Sequence, residues 1–208
     1  VTHDGGRTFK TVIDVLEGLG YSISHKILDA SDYGVPQRRK RIIIVGVRKD
    51  LAGEFVWPKR CDKTRTLMDA LNGCPVSEGA RYSAAKESVM KMVPPGGNWK
   101  NLPQDVAKSY MGKSFYNSGG RTTYAKRLSW DEPCLTILCS PAQMQTERCH
   151  PDETRPLTVR ESARIQTFPD DWGFKGSVMS QYRQIGNAVP VLLAKRIAES
   201  VAACLTQK

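Results

Sequence analysis

The sequence predicts an α/β fold: the closing strands and last helix of an open sheet, joined to a small irregular domain. Three observations carry this. A helical pattern over residues 7–19 leads through a short strand to the β-branched run Ile42-Ile43-Ile44-Val45-Gly46, the composition of a buried, parallel strand. Residues 52–150 then lose regular periodicity and hold seven of the twelve prolines, so they read as short elements on long loops, which often carry function. Helical patterning returns after residue 157. A helix feeding such a strand is the unit of an α/β sheet, and the beginning of that sheet is expected outside this stretch.

Each element has its own signal. Phe9, Val12, Ile13 and Leu16 fall on one helical face, and Gly20 follows as a C-cap. Residues 21–29 read as a strand. A turn at 31–36 leads into Gln37-Arg38-Arg39-Lys40-Arg41 and the apolar run. In the irregular stretch, Pro94-Pro95-Gly96-Gly97-Asn98-Trp99 is loop-like and Leu135-Thr136-Ile137-Leu138 reads as a strand. Thr158 followed three residues later by Glu161 is a capping box, so a short helix is expected to about Gln166, stopped by Phe168-Pro169. A last helix starts near Pro190, which suits the first helical position, with Ala194, Ile197, Ala198, Val201 and Leu205 as its apolar stripe.

Composition narrows the class of function. The 208 residues are 40% hydrophobic and 25% charged, ordinary for a globular protein. No run of 18 apolar residues marks a membrane-spanning helix. The net charge of +10 favours a polyanionic partner, nucleic acid above all. Six cysteines and three histidines show no Cys-x-x-Cys pair and no clustering, so no metal site is expected. With no secretory signal visible, the cysteines are expected as reduced thiols of a cytoplasmic protein. The first residue is Val1 rather than Met, which suggests an excised or incomplete chain.

Three segments decide the reading. The first is Asp32-Tyr33-Gly34-Val35-Pro36-Gln37-Arg38-Arg39-Lys40-Arg41; the second runs from Arg155-Pro156-Leu157-Thr158-Val159-Arg160-Glu161 to Pro169-Asp170; the third is Tyr182-Arg183-Gln184-Ile185-Gly186-Asn187-Ala188-Val189-Pro190. They resemble the Gln-x-Arg-x-Arg, Arg-x-Leu-Thr-x-Arg-Glu and Gly-Asn-x-Val signatures of the DNA (cytosine-5) methyltransferases, in the family's order. A lone Gln-x-Arg-x-Arg is weak; three in order are strong. The resemblance covers nearly the whole chain and is to the C-terminal part of the bacterial restriction-modification type. It implies the C-terminal part of a Rossmann-like, S-adenosylmethionine-dependent methyltransferase sheet, residues 1–57 and 180–208, around a small target-recognition domain at 58–179.

The resemblance also implies roles. Arg41 matches the arginine that contacts the flipped cytosine, with Arg39 at the other alternate position. A guanidinium beside the base carbonyl stabilises charge that develops as the ring is attacked. Strand period puts Gln37, Arg39 and Arg41 on one face; the same cations also suit a solvated strand end paired with carboxylates. Asn187, with Ala188, is expected beside the methionine part of S-adenosylmethionine, where Gly186 permits a tight turn; an ordinary turn opening a helix needs the same residues. The arginines at 155–164 are expected to pair with carboxylates, with phosphate contact by Arg155 or Arg160 the other use of such a side chain.

Double-stranded DNA is the implied partner. Arg121, Lys126, Arg127, Gln143, Gln145 and Arg148 are side chains that suit base edges or phosphates, and Gln37 and Thr136 are counted with them as DNA contacts. The family's Gly-rich cofactor loop, Pro-Cys nucleophile and Glu-Asn-Val motif all precede Gln-x-Arg-x-Arg, and none occurs in these 208 residues. An N-terminal catalytic half, in the same chain or a separate subunit, is therefore the second expected partner. Pro133-Cys134 follows Arg41 instead of preceding it and is not assigned as the nucleophile. A DNA-binding module without catalysis, and a small basic protein for RNA or a protein partner, remain the rival readings.

Overall fold

The computed structural model describes residues 3–51, 53–117 and 122–206. Helix α1 (Arg7–Gly18) is followed by Gly20 in the left-handed region at φ 89°, the conformation that favours glycine at a helix end. Strand β1 (Tyr21–Asp29) runs into a 3-10 turn, Ala30–Tyr33, in which the Ser31 backbone N–H is capped by the Asp29 carboxylate. Two residues of β2 (Gln37–Arg38) precede the long β3 (Lys40–Arg48).

The run at 42–46 does not form a buried parallel strand. β3 pairs antiparallel with β1 from Tyr21↔Arg48 to Asp29↔Lys40, and Ile42 to Val45 are only half-buried. The ten residues between the strands simply turn the chain back, whereas a parallel pair needs a crossover of a dozen or more. Helix α1 lies along β1 with Phe9 edge-on to His25, yet has no buried residue, and its Val15 is 56% exposed.

The middle of the chain holds short helices: α2 (Leu67–Leu71), α3 (Ala84–Lys91) and α4 (Gln104–Met111). The strand expected at 135–138 is shorter. β4 (Cys134–Leu135) pairs parallel with β2, Gln37↔Cys134 and Arg38↔Leu135. Beyond it side chains take over from the ladder: Ile137 N–H donates to Gln37 Oε1 at 2.9 Å, and Thr136 Oγ1 to the Arg38 carbonyl at 2.8 Å.

Helix α5 (Val159–Ile165) forms with the expected capping box, Thr158 and Glu161 each accepting from the other's backbone N–H. Helices α6 (Val178–Asn187) and α7 (Val191–Leu205) complete the chain. Pro190 stands one position ahead of the first helical residue, and α7 has no side-chain cap of its own there. Its open N–H groups are met from the end of α5: Val191 N donates to Gln166 O at 3.0 Å and Leu192 N to Thr167 Oγ1 at 2.9 Å. The buried stripe of α7 is rotated from the one expected. Leu193 and Cys204 are buried and Ile197 and Val201 half-buried, while Ala194, Ala198 and Leu205 are exposed.

Three cores result. Leu28, Ala30, Tyr33 and Val35 pack on Leu193 of α7. Leu67, Leu128, Ile137, Leu157, Ile165 and Ile185 join α2, α5 and α6. Met90, Val93, Leu102, Ala107, Ala125 and Cys149 hold α3 and α4 together. Among the described residues no helix is long and apolar enough to cross a membrane, and no group of His, Cys, Asp or Glu could hold a metal.

Candidate functional site

The first and third motifs meet at the junction of β2 with β3 and the C-terminal end of α6. Gln37 is 0% exposed. Its Nε2 donates to Gln166 Oε1 at 2.9 Å, while Gln166 Nε2 donates to the Ile185 carbonyl at 2.7 Å. Both side-chain amides are thereby spent inside the protein, as buried polar groups require. Gln37, expected at DNA, is instead an internal strut. Gln166, in the second motif, is the partner that sequence reasoning missed; its one signal was a glutamine just after a helix among apolar residues.

Arg39 is 3% exposed. Its Nη1 donates to Ile137 O at 3.0 Å, and its Nη2 to Gly186 O at 2.8 Å and Ala188 O at 3.3 Å. The backbone carbonyls at the end of α6, which lack intrahelical donors, thus receive a buried cation, favourable at that pole of a helix. Burial, and next the charge of Arg41, push the Arg39 guanidinium down to about 10, still high enough to stay charged at neutral pH. Arg39 therefore does not present its head to a base; it ties the start of β3 to Ile137 and to the end of α6. Arg41 is exposed, and its Nη1 donates to the Lys40 carbonyl at 2.7 Å.

Gly186 does not make the tight turn expected of it. It lies inside α6, and a Cβ there would meet Cys139 N at 2.6 Å and Leu138 C at 2.7 Å. Glycine is required because the backbone of 138–139 crosses directly over the helix. The crossing brings Cys139, another residue the sequence did not single out, to Asn187: its Sγ donates to Asn187 Oδ1 at 3.1 Å. Asn187 is exposed and Ala188 half-buried. Arg39 and Ala188 are thus brought together, with Asn187 next along the chain, while Asn187 and Arg41, two residues beyond Arg39, are exposed.

The candidate DNA contacts divide. Gln143 is exposed on the 142–147 loop, and Thr136 is half-buried on Arg38. Lys126 is half-buried with Nζ donating to Gly96 O at 2.5 Å; burial first, then Arg148 and Arg38, lower its pKa. Arg127 and Arg148 are not at a DNA surface. Arg127 is 4% exposed and donates to the carbonyls of Met90, Val93, His150, Pro151 and Glu153 and to Thr154 Oγ1. Arg148 is buried, with Nε to Thr136 O at 3.2 Å and Nη1 to Glu147 O at 2.6 Å. Arginines in this irregular region serve carbonyls that no helix or sheet pairs. Arg121 lies outside the described residues.

In the second motif Arg155 and Arg164 pair with carboxylates as expected, while Arg160 binds backbone carbonyls instead. Arg155 grips Glu161 with both Nη atoms at 2.8 Å and Glu153 through Nε and Nη2 at 2.9 and 2.8 Å. Arg164 pairs with Asp170 and reaches the carbonyls of Asn72 and Gly73. Arg160 donates to the carbonyls of Pro169 and Trp172. Cys134 is fully enclosed, and burial pushes its thiol up to about 12, which removes it as a nucleophile at neutral pH.

Comparison with known proteins fits this geometry. The family described as C-5 cytosine-specific DNA methylase matches residues 1–203. The chain belongs to that family. It is 53% identical over 211 residues to Type II methyltransferase M.Eco47II of Escherichia coli, covering 97% of this chain and 51% of that protein. It is 52% identical to Type II methyltransferase M.Sau96I of Staphylococcus aureus, covering 100% and 49%. The chain thus spans about half the length of these curated relatives. Among solved structures, a DNA modification methyltransferase encoded within a prophage (E. coli) superposes with TM-score 0.67 at 22% identity, over 99% of this chain and 67% of that one. Entamoeba histolytica methyltransferase EhMeth gives 0.58 at 16%, over 97% and 59%. These likenesses establish an α/β methyltransferase fold for this chain.

Proposed function

We propose that this chain is the target-recognising C-terminal segment of a DNA (cytosine-5) methyltransferase from a bacterial restriction-modification system, acting in the cytoplasm. Residues 1–57 and 180–208 belong to the catalytic framework and 58–179 to the recognition domain, with Tyr182 and Ile185 of α6 packing on the latter side. The observation that carries the reading is the pairing of a buried Arg39, locked onto Ile137, Gly186 and Ala188, with an exposed Arg41 two residues on. One arginine builds the pocket floor; the next is free to act.

The chemistry follows from that placement. The target cytosine leaves the duplex to reach the site. A thiolate from outside these 208 residues attacks carbon 6 of the ring. Arg41 donates to the base carbonyl oxygen and stabilises the charge that builds there. The fit of S-adenosylmethionine rests on Asn187: its exposed amide can both donate and accept, as the amino-acid part of that molecule requires, and Ala188 adjoins it. When bound, the group would supply an electrophilic methyl for carbon 5, and loss of the carbon-5 proton to a base with departure of the thiolate from carbon 6 then restores the ring. Arg39, Gln37 and Gln166 hold these residues in register but do not touch the reactants.

Co-expression tests this. The chain alone is expected to leave DNA unmethylated, since covalent catalysis has no substitute for its nucleophile. Together with the N-terminal half of an M.Eco47II-type relative, it is expected to restore 5-methylcytosine. Methyl transfer by the purified chain alone contradicts the reading, and none in the co-expressed pair despite DNA binding contradicts it in favour of a binding module without catalysis.

A further inference from the structure

The loop 142–147 carries Gln143, Met144 and Gln145, all exposed, around a 3-10 turn, Met144–Thr146, that has no side-chain cap. Its backbone is closed by Thr146 N to Gln143 O at 3.1 Å. What holds it lies beneath. Lys86 of α3 donates from Nζ to the Ala142 carbonyl at 2.7 Å and to the Glu147 carboxylate. Tyr110 of α4 donates its hydroxyl to the same carboxylate. Glu147 is 0% exposed, and the Lys86 ammonium stands 5.1 Å from the Tyr82 ring centroid. One half-buried lysine thus ties both ends of the loop to α3, and one buried carboxylate ties it to α4.

Burying such a pair brings large desolvation costs, and an apolar core of equal volume often serves stability as well. A polar cluster retained under a six-residue loop therefore suggests a requirement for one conformation. The surroundings show why a choice exists. A cavity of about 590 Å³ opens beside the cluster, lined by Lys86, Val89, Val106, Tyr110 and Met144 among others, so the loop has space to repack if released.

We propose that Lys86, Glu147 and Tyr110 are positioning residues for target choice: they fix the 142–147 loop so that Gln143 and Gln145 meet one base pair in one register. This rests on the reading that residues 58–150 select the site. The amides suit base edges, while the clamp touches no DNA.

The test uses the complete methyltransferase and DNA carrying the target or its single-base mismatches. The paired variant Lys86→Met with Glu147→Gln removes both charges at little change in volume. It is expected to raise methylation of a mismatched site relative to the target about tenfold, the scale of one lost base contact, with target kcat changed by less than about threefold. Lys86→Arg keeps the cation and is expected to retain discrimination. Tyr110→Phe deletes one hydroxyl, remains informative where the paired variant fails to fold, and is expected to relax discrimination about threefold, near the loss of one hydrogen bond. Gln143→Ala with Gln145→Ala tests the underlying reading. Should these loop variants relax the choice while Lys86→Met with Glu147→Gln, or Tyr110→Phe in its place, keeps the parent ratio, the clamp is refuted and the recognition assignment stands. Should the loop variants also keep the parent ratio, both fall.

Discussion

Replacing Arg41 with alanine in the complete methyltransferase is expected to slow methyl transfer about a hundredfold while shifting DNA affinity by no more than about threefold, because a preorganised donor at a reacting oxygen is worth about 3 kcal/mol in the transition state. The asymmetry follows from position. Arg41 is exposed beside a floor that Arg39 fixes to Ile137, Gly186 and Ala188, so its removal leaves the floor standing. Single-turnover rates and equilibrium binding on the same duplex separate the two effects. Equal losses in rate and binding would make Arg41 a phosphate-positioning residue instead.

Arg127→Met is expected to act in the opposite manner, costing roughly 4 kcal/mol of stability, in the range that marks a broken buried network. Five backbone carbonyls and the Thr154 hydroxyl converge on this one guanidinium. The substitution strips them of a charged donor, and each hydrogen bond to a charged group contributes about 1.5–3 kcal/mol. The denaturant midpoint of the complete enzyme should fall, while the salt dependence of DNA binding keeps its slope. An unchanged midpoint with a slope smaller by about one would show a phosphate contact and overturn the placement of Arg127 in the core.

These two arginines show what the sequence reveals and what it hides. Local chemistry was legible: the Thr158–Glu161 capping box, the helix beginning after Pro190 and the strand at 21–29 depend on near neighbours, and all three form. The family was legible through the order of its motifs. The destination of a cation in an irregular region was not. Arg127 and Arg148 have the residue type and neighbours of a DNA contact, but loops leave carbonyls unpaired, and those carbonyls draw the guanidinium groups inward. Gly186 was read as a turn because its reason lies 47 residues away, in the backbone at Cys139 that passes over it. The β-branched run at 42–45 could not reveal the direction of its partner, since the same side chains suit parallel and antiparallel neighbours. For α7, spacing alone allowed two adjacent stripes, and packing against Val35 and Tyr33 selected the one through Leu193.

The central claim is that this chain chooses the DNA site through residues 58–150, with the strongest weight on 119–150, while the segments on either side belong to a framework shared with related enzymes. Transplanting residues 58–150 into the framework of a relative with a different target, then mapping 5-methylcytosine in its product DNA by bisulfite sequencing, tests that claim most directly. Methylation is predicted at the site of the protein that donated the segment. A pattern that keeps the framework's own site, with no trace of the donor's, would contradict the account.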